Sequence, residues 1–413
     1  MRRIAIPERP DWRRTAEEYG FRFHTIDGEP YWEERAFYAF TLEQVEKDIE
    51  DPTAELHAMA MDLVDGIVTS ESALRRLAIP ENYWDWILRS WRARQPHLYG
   101  RMDFAYSGTG PARLLELNYD TPTSLFEAAF FQWEWLEDVR RRSLLPMGAD
   151  QYNAIQEALV EAFATIAPSL PRPFYLSSVS TSEEDAGTVA YLRDCALQAG
   201  LDCDTIAMED IGLGDNGGFT DLQDTVIGTL FKLYPLEDLF VEEFGKHLPF
   251  SGIQLIEPPW KAVLSNKGIL PLLWEAHPRH PNLLEAHFDD GSGSLSPGWV
   301  RKPLLSREGA NVELRRPDGS GETSDGPYAG GRWIRQAYAP LPEFDGNHAL
   351  VGSWVVGDRA CGMGIREDAS AITRDTARFV PHAIVDPDWV PGAEPPPPPP
   401  APPRGGRDDV LVA

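Results

Sequence analysis

The stretch YGRMDFAYSGTGPARLLELNYD, residues 99–120, has the pattern of two short strands joined by a tight turn of small, turn-forming residues. Alternate residues of a strand share one face. Arg101 and Asp103 therefore point the same way, and so do Glu116 and Asn118. A hairpin would bring these four polar groups to one surface. The apolar residues between them are predicted to face a core: Met102, Leu115 and Leu117.

This polar face suggests a site for a metal ion and an anion. Two carboxylates and an amide oxygen are hard ligands, which suit magnesium completed by water and phosphate oxygens. The neighbouring arginine is suited to hold a phosphate or carboxylate and to stabilise developing negative charge. The alternative is a solvated hairpin face with ordinary salt bridges, and the spacing alone does not separate the two interpretations.

Three later segments place basic residues where they could contact phosphates. In WKAVLSNKGILPLLW, Lys261 and Lys267 lie near a predicted helix start, where free N–H groups favour anions. In WVRKPLLSREGANVEL, Lys302 lies in a strand, and Gly309 lies in a loop suited to cover phosphates. In GMGIREDASAIT, Arg366 ends a strand-like run. Taken singly, each segment has an ordinary alternative: a surface lysine, a β-turn or a surface arginine.

The order of elements predicts a mixed α/β protein. Residues 10–97 are predicted to be helical with short loops, and Thr41 and Gln44 have the spacing of a capping box at one helix start. Another helix is predicted over about 124–141. Residues 150–245 alternate strands with helices, including one over LEDLFVEEFGKHL, which implies parallel pairing.

The remaining part of the chain changes character twice. Residues 255–385 are predicted to contain a helix over about 262–276, strands and glycine-rich loops. After about Val390 the chain is rich in proline, with six consecutive prolines at 395–400. Such a composition predicts a tail outside any packed core.

The amino-acid composition limits which kinds of partner the protein is expected to bind. The chain has 413 residues with 38 Lys and Arg against 65 Asp and Glu, a formal charge of −27. This excess argues against nucleic-acid binding through a basic surface, yet it leaves room for a local cationic pocket. The three cysteines fit a reduced, cytoplasmic setting, and no apolar run is long enough to insert into a membrane.

Taken in order, these segments resemble the glutathionylspermidine synthase family, in particular its stand-alone synthetase-type members. The resemblance covers nearly the whole chain except the Pro-rich tail. The matching runs are RMDFAYSG, LLELNYDTPTSLFEAAFFQWEWLED, LFKLYPLEDL, IEPPWKAVLSNKGILPLLWEAHPRHPNLL, RKPLLSREGANV and WVVGDRACGMGIREDASAITRDTARFVPH.

The resemblance implies an ATP-grasp fold and an ATP-dependent carboxylate–amine ligase. In that reaction ATP phosphorylates a carboxylate, and an amine then attacks the acyl phosphate. Because the E-x-N pair precedes the ATP lysines here, the ATP-grasp fold is expected to be circularly permuted, with an inserted parallel α/β unit. The implied division is a helical region with the metal-binding hairpin (1–148), a substrate-side α/β unit (149–255), a nucleotide-binding lobe (256–388) and the tail (389–413).

The resemblance also implies roles for particular residues. The implied magnesium ligands are Asp103, Glu116 and Asn118. Arg101 is similar to the family's transition-state stabiliser and is expected near ATP, and Arg366 is similar to a second such contact. The other residues expected at ATP or at the glutathione substrate are Asp103, Lys267, Lys302, Gly309 and Gln336 for ATP, and Thr121 for the substrate.

The expected cofactors are ATP and magnesium, and the expected substrates are glutathione or another peptide carboxylate with a polyamine. An amidase activity is not expected, because the family's bifunctional members use a catalytic cysteine before the synthetase part, and the first cysteine here is Cys195. Two alternatives stay open: a non-catalytic nucleotide-binding scaffold that uses its Pro-rich tail, and an ATP-grasp ligase with a different peptide or protein substrate. The oligomeric state is not readable from the sequence.

Overall fold

The computed structural model describes residues 1–26 and 28–392. The Pro-rich tail predicted from the sequence lies outside the described residues from position 393 onward. The helices are α1 (Trp12–Glu18), α2 (Leu42–Val45), α3 (Asp51–Val68), α4 (Glu71–Arg76), α5 (Trp84–Arg92), α6 (Gln132–Arg141), α7 (Ile155–Ile166), α8 (Glu183–Gln198), α9 (Leu236–Leu239), α10 (Leu248–Ser251) and α11 (Ile269–Ala276).

The strands are short except for two long ones near the end of the chain. They are β1 (Arg2–Ala5), β2 (Thr25–Ile26), β3 (Glu29–Pro30), β4 (Ala36–Phe40), β5 (Tyr99–Ala105), β6 (Arg113–Asn118), β7 (Phe174–Ser178), β8 (Asp204–Ala207), β9 (Gly212–Leu213), β10 (Phe219–Thr220), β11 (Thr229–Lys232), β12 (Gln254–Ile256), β13 (Ala286–Asp289), β14 (Trp299–Pro303), β15 (Glu313–Arg315), β16 (Gly321–Thr323), β17 (Trp333–Ala337), β18 (Glu343–Phe344), β19 (Asn347–Val356), β20 (Arg359–Asp368), β21 (Arg378–Val380) and β22 (His382–Ile384).

A six-stranded antiparallel sheet forms around the predicted hairpin. Its strand order is β21-β20-β19-β5-β6, with β18 also paired to β19. The hairpin of β5 and β6 is confirmed, and Asp103 lies opposite Glu116 in it. On its other side β5 pairs with β19, where Gly352 lies opposite Asp103. The sheet therefore joins the early hairpin to the end of the chain.

Of the three hairpin residues predicted to face a core, Leu115 does not lie in the large apolar cluster. Met102 and Leu117 are buried in the large apolar cluster, as the alternation predicts. The register of β5 and β6 shifts next to Phe104, which pairs with Leu114 and leaves Leu115 as the extra residue of a bulge. Leu115 consequently lines a cavity instead of the core.

The predicted parallel unit is confirmed. Its sheet has the order β12-β11-β7-β8, and all three pairings are parallel. The single helix predicted over LEDLFVEEFGKHL is wrong, because the segment breaks into α9, a tight turn and α10. Gly245 packs directly onto the Leu239 carbonyl, and Pro249 lacks the N–H that a continuing helix needs.

A five-stranded antiparallel sheet of order β13-β17-β14-β15-β16 follows. The helix predicted over 262–276 begins later, at Ile269, because Pro259–Val263 forms a separate 3₁₀ turn. The Asn266 side chain accepts a 2.9 Å hydrogen bond from the Gly268 N–H in the turn just before α11.

The prediction of a helical segment over residues 10–97 is too broad. Residues Ala36–Phe40 form β4, which is buried along its whole length and pairs with β1 and β22. The capping box is confirmed, since Thr41 and Gln44 bond reciprocally at the start of α2. Among the described residues, every helix is too short or too polar to span a lipid bilayer.

Candidate active site

The hairpin brings its four polar side chains together, as predicted. Arg101 donates from Nε and Nη2 to the two carboxylate oxygens of Asp103, at 2.6 and 3.0 Å. Asn118 donates its amide N–H to Asp103 at 3.1 Å and to Glu116 at 3.4 Å. Both Arg101 and Asp103 are buried. The arrangement is an ordered charged cluster and not a solvated strand face.

Arg101 is held in place from several sides. Its Nη1 donates to the Thr123 carbonyl at 2.7 Å, and its guanidinium lies 5.7 Å from the centre of the Trp354 ring. A Cβ on Gly352 would lie 2.8 Å from Arg101 Cδ, closer than such atoms pack. The neighbouring strand therefore needs glycine at 352 for Arg101 to lie flat across the sheet.

Lys267 extends this cluster toward the predicted phosphate loop. Its Nζ lies 3.2 Å from Glu116 Oε2 and donates to the Ser306 carbonyl. Burial raises the pKa of Glu116, but the Lys267 and Lys302 ammonium groups outweigh that effect and bring the pKa down to about 2. Glu116 is therefore ionised at neutral pH.

Lys302 and Gln336 form a second buried pair. Lys302 Nζ donates to Gln336 Oε1 at 2.9 Å and to the Leu115 carbonyl at 3.0 Å. The bulge at Leu115 turns that carbonyl toward the lysine. Gln336 in turn donates to the Leu114 carbonyl at 3.0 Å. Burial lowers the pKa of Lys302 to about 8, although the nearby Glu116 carboxylate opposes the shift.

Glu116, Lys267 and the Lys302–Gln336 pair line one cavity. Its empty space is about 710 Å³, a volume that includes open solvent. Five of the residues singled out in the sequence lie on its wall, namely Glu116, Lys267, Lys302, Gly309 and Gln336. Its apolar wall is formed by Leu115, Val300, Val312, Leu314, Leu341, Leu350 and Ile372. An apolar slot with an amide and charged groups at its edge suits a flat heterocycle that carries phosphates.

Gly309 is placed where glycine is needed. Its φ of +68° is left-handed, and a Cβ there would lie 2.6 Å from the Thr373 carbonyl oxygen. The loop around Gly309 thus packs against Thr373, which also lines the cavity. The Ser306 carbonyl of this loop accepts a hydrogen bond from Lys267.

The donor set fits a magnesium ion that binds together with phosphates. Asp103, Glu116 and Asn118 offer hard oxygen ligands. In the part of the chain that the structure describes, no group of three or more His, Cys, Asp or Glu side chains is placed to hold a metal alone. A magnesium ion at this site would therefore use the Asn118 amide oxygen and ligand oxygens together with the two carboxylates.

Five predicted residues lie outside the cavity lining: Arg101, Asp103 and Asn118 of the hairpin cluster, and Thr121 and Arg366. Thr121 Oγ1 accepts a 2.6 Å hydrogen bond from Arg307, which also bonds Glu237 at 2.6 Å. Arg366 lies on β20 opposite Leu350, hence on the sheet face that carries the cavity. Its Nη2 donates to the Arg374 carbonyl at 2.6 Å.

Sequence reasoning did not assign Arg307, although it lies in the SREGAN run two residues before Gly309. It links the loop to Thr121 and to Glu237, at the start of α9. No sequence signal distinguishes this arginine from a surface one.

Lys261 does not belong to the cavity. Its ammonium is fully buried, lies 2.8 Å from Glu257 Oε2 and donates to the Tyr99 carbonyl at 2.6 Å. Glu257 also accepts hydrogen bonds from the N–H groups of Leu98 and Tyr99. The interpretation of Lys261 as a lysine at an anion site is therefore wrong, and its role is to fix the start of β5.

Comparisons with known proteins find relatives that are named as ligases and synthetases. A putative acid–amine ligase of Haemophilus influenzae is 40% identical over 400 residues, which cover 93% of this chain and 100% of the relative. The trypanothione synthetase of Crithidia fasciculata is 30% identical over 346 residues, covering 77% of this chain and 52% of that protein. The bifunctional glutathionylspermidine synthetase/amidase of Escherichia coli is 24% identical over 87% of this chain and 60% of its own length.

A solved structure shares the fold at low sequence identity. The glutathione synthetase-like effector of Globodera pallida aligns with a TM-score of 0.54 and 10% identity, over 92% of this chain and all of that one. The family model described as glutathionylspermidine synthase preATP-grasp matches residues 3–385. Since that match covers nearly the whole chain, the protein belongs to the glutathionylspermidine synthase preATP-grasp family.

Proposed function

We propose that the protein is an ATP- and magnesium-dependent carboxylate–amine ligase of the ATP-grasp type that works through an acyl phosphate. The observation that carries this proposal is the single cavity that collects Glu116, Lys267, Lys302, Gly309 and Gln336. These residues come from separate segments of the chain. A scaffold that bound nucleotide without using it would not require a carboxylate pair and an arginine beside the phosphates.

The proposed nucleotide site runs along the cavity. Gln336 and Lys302 would hold the adenine side, and Lys267 with the Gly309 loop would hold the phosphates. Asp103, Glu116 and Asn118 would bind magnesium, which would neutralise phosphate charge and orient the transferred group. Arg101 would stabilise charge on the transferring oxygens from its fixed position beside Asp103.

The proposed reaction has two steps, phosphoryl transfer and amide formation. The γ-phosphoryl group of ATP passes to a carboxylate oxygen, and ADP leaves. The amine nitrogen then forms a bond to the acyl carbon, the carbon–oxygen bond to phosphate breaks, and the nitrogen loses a proton. Water must be excluded between these steps, since it would hydrolyse the acyl phosphate, and the Gly309 loop would cover the site in that role.

The order of motifs supports a circularly permuted arrangement, because Glu116 and Asn118 precede Lys267 and Lys302 along the chain. The division at residues 148, 255 and 388 stays a prediction. Arg366 and Thr121 are proposed to contact the substrates. Arg366 would do so from β20, and Thr121 from the segment that follows β6, the strand paired with β5.

The proposed substrates are glutathione and spermidine. The related proteins named for glutathionylspermidine and trypanothione synthesis support this pair as the first to test. The charge of −27 also favours a polycationic amine, because opposite charge raises its local concentration. Another peptide carboxylate or another amine would use the same nucleotide site.

The test is ADP release with magnesium and ATP, measured with glutathione alone, spermidine alone and both together, with the product mass recorded. We expect release that requires both substrates and a mass equal to their condensation. ATP binding without release under any condition would refute the proposed substrates. Absence of ATP binding would refute the nucleotide site.

Variants test the site itself. We expect Asn118→Ala, Glu116→Ala and Lys302→Ala each to lower turnover by at least about a hundredfold without unfolding, as groups that act on transition-state charge do. The matched control is Lys246→Ala, which removes an exposed lysine paired only with Glu243. Near-normal turnover in a site variant would remove that residue from the site.

A further inference from the structure

A buried carboxyl group that the site description has not used lies on the helical segment after the hairpin. Glu127 has no exposed surface and lies in the π-helical turn Glu127–Phe131, which continues into α6. Wider π turns inside helices are frequent at functional sites. Its Oε1 accepts a 2.6 Å hydrogen bond from the Tyr31 hydroxyl, which also contacts Ser124 Oγ at 2.9 Å.

The second carboxyl oxygen of Glu127 is left without a donor. Among the described residues nothing donates to Oε2, although the atom is buried. Native proteins rarely leave such an acceptor unpaired, because its desolvation costs free energy that a hydrogen bond would recover. Tyr31, itself held by Ser124, fixes the first oxygen, so the second is positioned to receive a donor that the chain itself does not supply.

The charges around Glu127 belong to the proposed active site. Arg101 and Arg366 act on it as nearby positive groups, and Glu184 from the first turn of α8 is the nearby acid. Arg101 also bonds the Thr123 carbonyl, four residues before Glu127. Glu127 therefore lies near enough to the two arginines proposed to act in the reaction for their charges to act on its carboxyl group.

We propose that Glu127 accepts the proton that the amine nucleophile loses when it attacks the acyl phosphate. This inference rests on the proposed function. The amine N–H would donate to Oε2, the nitrogen would bond to the acyl carbon, and the proton would move to Oε2 as phosphate leaves. The protonated carboxyl then passes the proton to solvent before the next turnover.

The electrostatics suit this role. Burial raises the pKa of Glu127 to about 7, while the Tyr31 hydrogen bond and the charges of Arg366 and Arg101 oppose the rise. A general base works best when its pKa lies near the working pH. It is then largely ionised at rest and still binds a proton well. Tyr31 and Glu184, which also face Glu127, have raised pKa values through burial and through its negative charge.

The experiment separates the two chemical steps in Glu127→Gln. Step one is followed by positional isotope exchange in ATP labelled at the β,γ-bridging oxygen, with magnesium and the carboxylate substrate but no amine. Step two is followed by amide formation with the full set of substrates. We expect exchange within about threefold of wild type and amide formation lowered at least about a hundredfold.

A second nucleophile sharpens the result. Hydroxylamine is uncharged at neutral pH and attacks acyl phosphates readily, so it depends less on a protein base. Hydroxamate formation should therefore survive in Glu127→Gln while amide formation from the amine substrate falls. Equal losses with both nucleophiles, or loss of isotope exchange in the folded variant, would overturn the proposal.

The pH profile supplies a readout that a structural role would not move. In wild type the amide-forming step should fall about tenfold per pH unit below about 7, because protonated Glu127 cannot accept a proton. Glu127→Gln should lack this limb, and Glu134→Gln on the same helix should keep it. If Glu127→Gln does not fold, Glu127→Asp takes its place, with slowed amide formation and a retained limb expected; an unchanged rate would refute the proposal.

Failure of the proposed function looks different from failure of this inference. Wild-type protein without carboxylate-dependent exchange would remove the acyl phosphate itself, and the role of Glu127 would fall with it. Wild-type exchange together with an undiminished amide rate in Glu127→Gln would remove only the proton acceptor.

Discussion

The glycine at position 352 offers a test of the active site that replaces none of the proposed catalytic side chains. Gly352 lies on β19 directly opposite Asp103 on β5. A Cβ at this position would lie 2.8 Å from Arg101 Cδ, 3.2 Å from its Nε and 3.3 Å from Asp103 Oδ1. The nearest atoms that Gly352→Ala pushes on are therefore those of the Arg101–Asp103 pair.

The size of the push follows from the contact distances. Carbon atoms pack at about 3.5–4.0 Å, so Arg101 Cδ must move by about 0.7 Å or more. A misplacement of about 1 Å in a reacting geometry can cost a hundredfold in rate, and we expect kcat to fall by roughly 10- to 100-fold. Overpacking of this buried site should also cost about 1–3 kcal/mol of stability.

The assay is ADP release at varied ATP, combined with urea unfolding of the same sample. Since Lys302 and Gln336 lie away from the added methyl group, the KM for ATP should stay within about threefold of wild type. Gly66→Ala is the matched control. Gly66 lies in α3 with no atom near its missing Cβ, so alanine should stabilise the helix by up to about 1 kcal/mol and leave turnover unchanged.

Two outcomes would refute the reasoning. Wild-type kcat in folded Gly352→Ala would mean that the exact placement of Arg101 against Asp103 does not matter to the reaction. An intact kcat with a large rise in the KM for ATP would place Arg101 in ground-state binding instead of transition-state stabilisation.

Three further predictions concern buried ionisable side chains. Because burial brings the pKa of Lys302 to about 8, kcat/KM for ATP should fall as pH rises above 8, and Lys302→Gln should lack that fall. His382 donates to Gln132, accepts from the Tyr152 N–H and has a pKa lowered to about 3 by burial, so only the unfolded chain takes up its proton between pH 6.5 and 3. The free energy of unfolding should therefore drop by about 2 kcal/mol from this residue as pH falls to 5, and a His382→Gln variant should lose that part of the acid sensitivity in urea titrations. Glu257→Gln removes the counter-charge of fully buried Lys261 and should cost about 3 kcal/mol in urea unfolding, whereas an effect below 1 kcal/mol would contradict the structural role of the pair.

The parts of the fold that the sequence predicts are those set by local chemistry. The hairpin of β5 and β6 follows from period-two alternation on either side of a Gly-Pro turn. The capping box of Thr41 and Gln44 needs only residues three apart. The parallel sheet follows from strands that alternate with helices, since such connections force parallel pairing.

The parts that the sequence does not predict depend on distant partners. The aromatic run of β4 is a strand because β22, more than 340 residues later, pairs with it. Lys261 and Lys267 lie six residues apart in one motif, yet Lys261 is neutralised by Glu257 while Lys267 meets Glu116 from the hairpin. The bulge at Leu115 directs a carbonyl toward Lys302. The alternation of polar and apolar residues in β6 does not reveal this bulge.

On the proposed function, the pairing of charges in the site predicts that magnesium and nucleotide bind as a coupled pair. Three cations, Arg101, Lys267 and Lys302, face the carboxylates of Asp103 and Glu116, so the cluster carries one surplus positive charge. A polyphosphate brings far more negative charge than that surplus balances, and it must approach the carboxylates of Asp103 and Glu116. Magnesium alone, in turn, must displace Arg101 and Lys267 from those carboxylates with little to compensate. Each ligand removes the electrostatic obstacle to the other, and since such coupling is reciprocal, nucleotide should tighten magnesium binding by the factor with which magnesium tightens nucleotide binding.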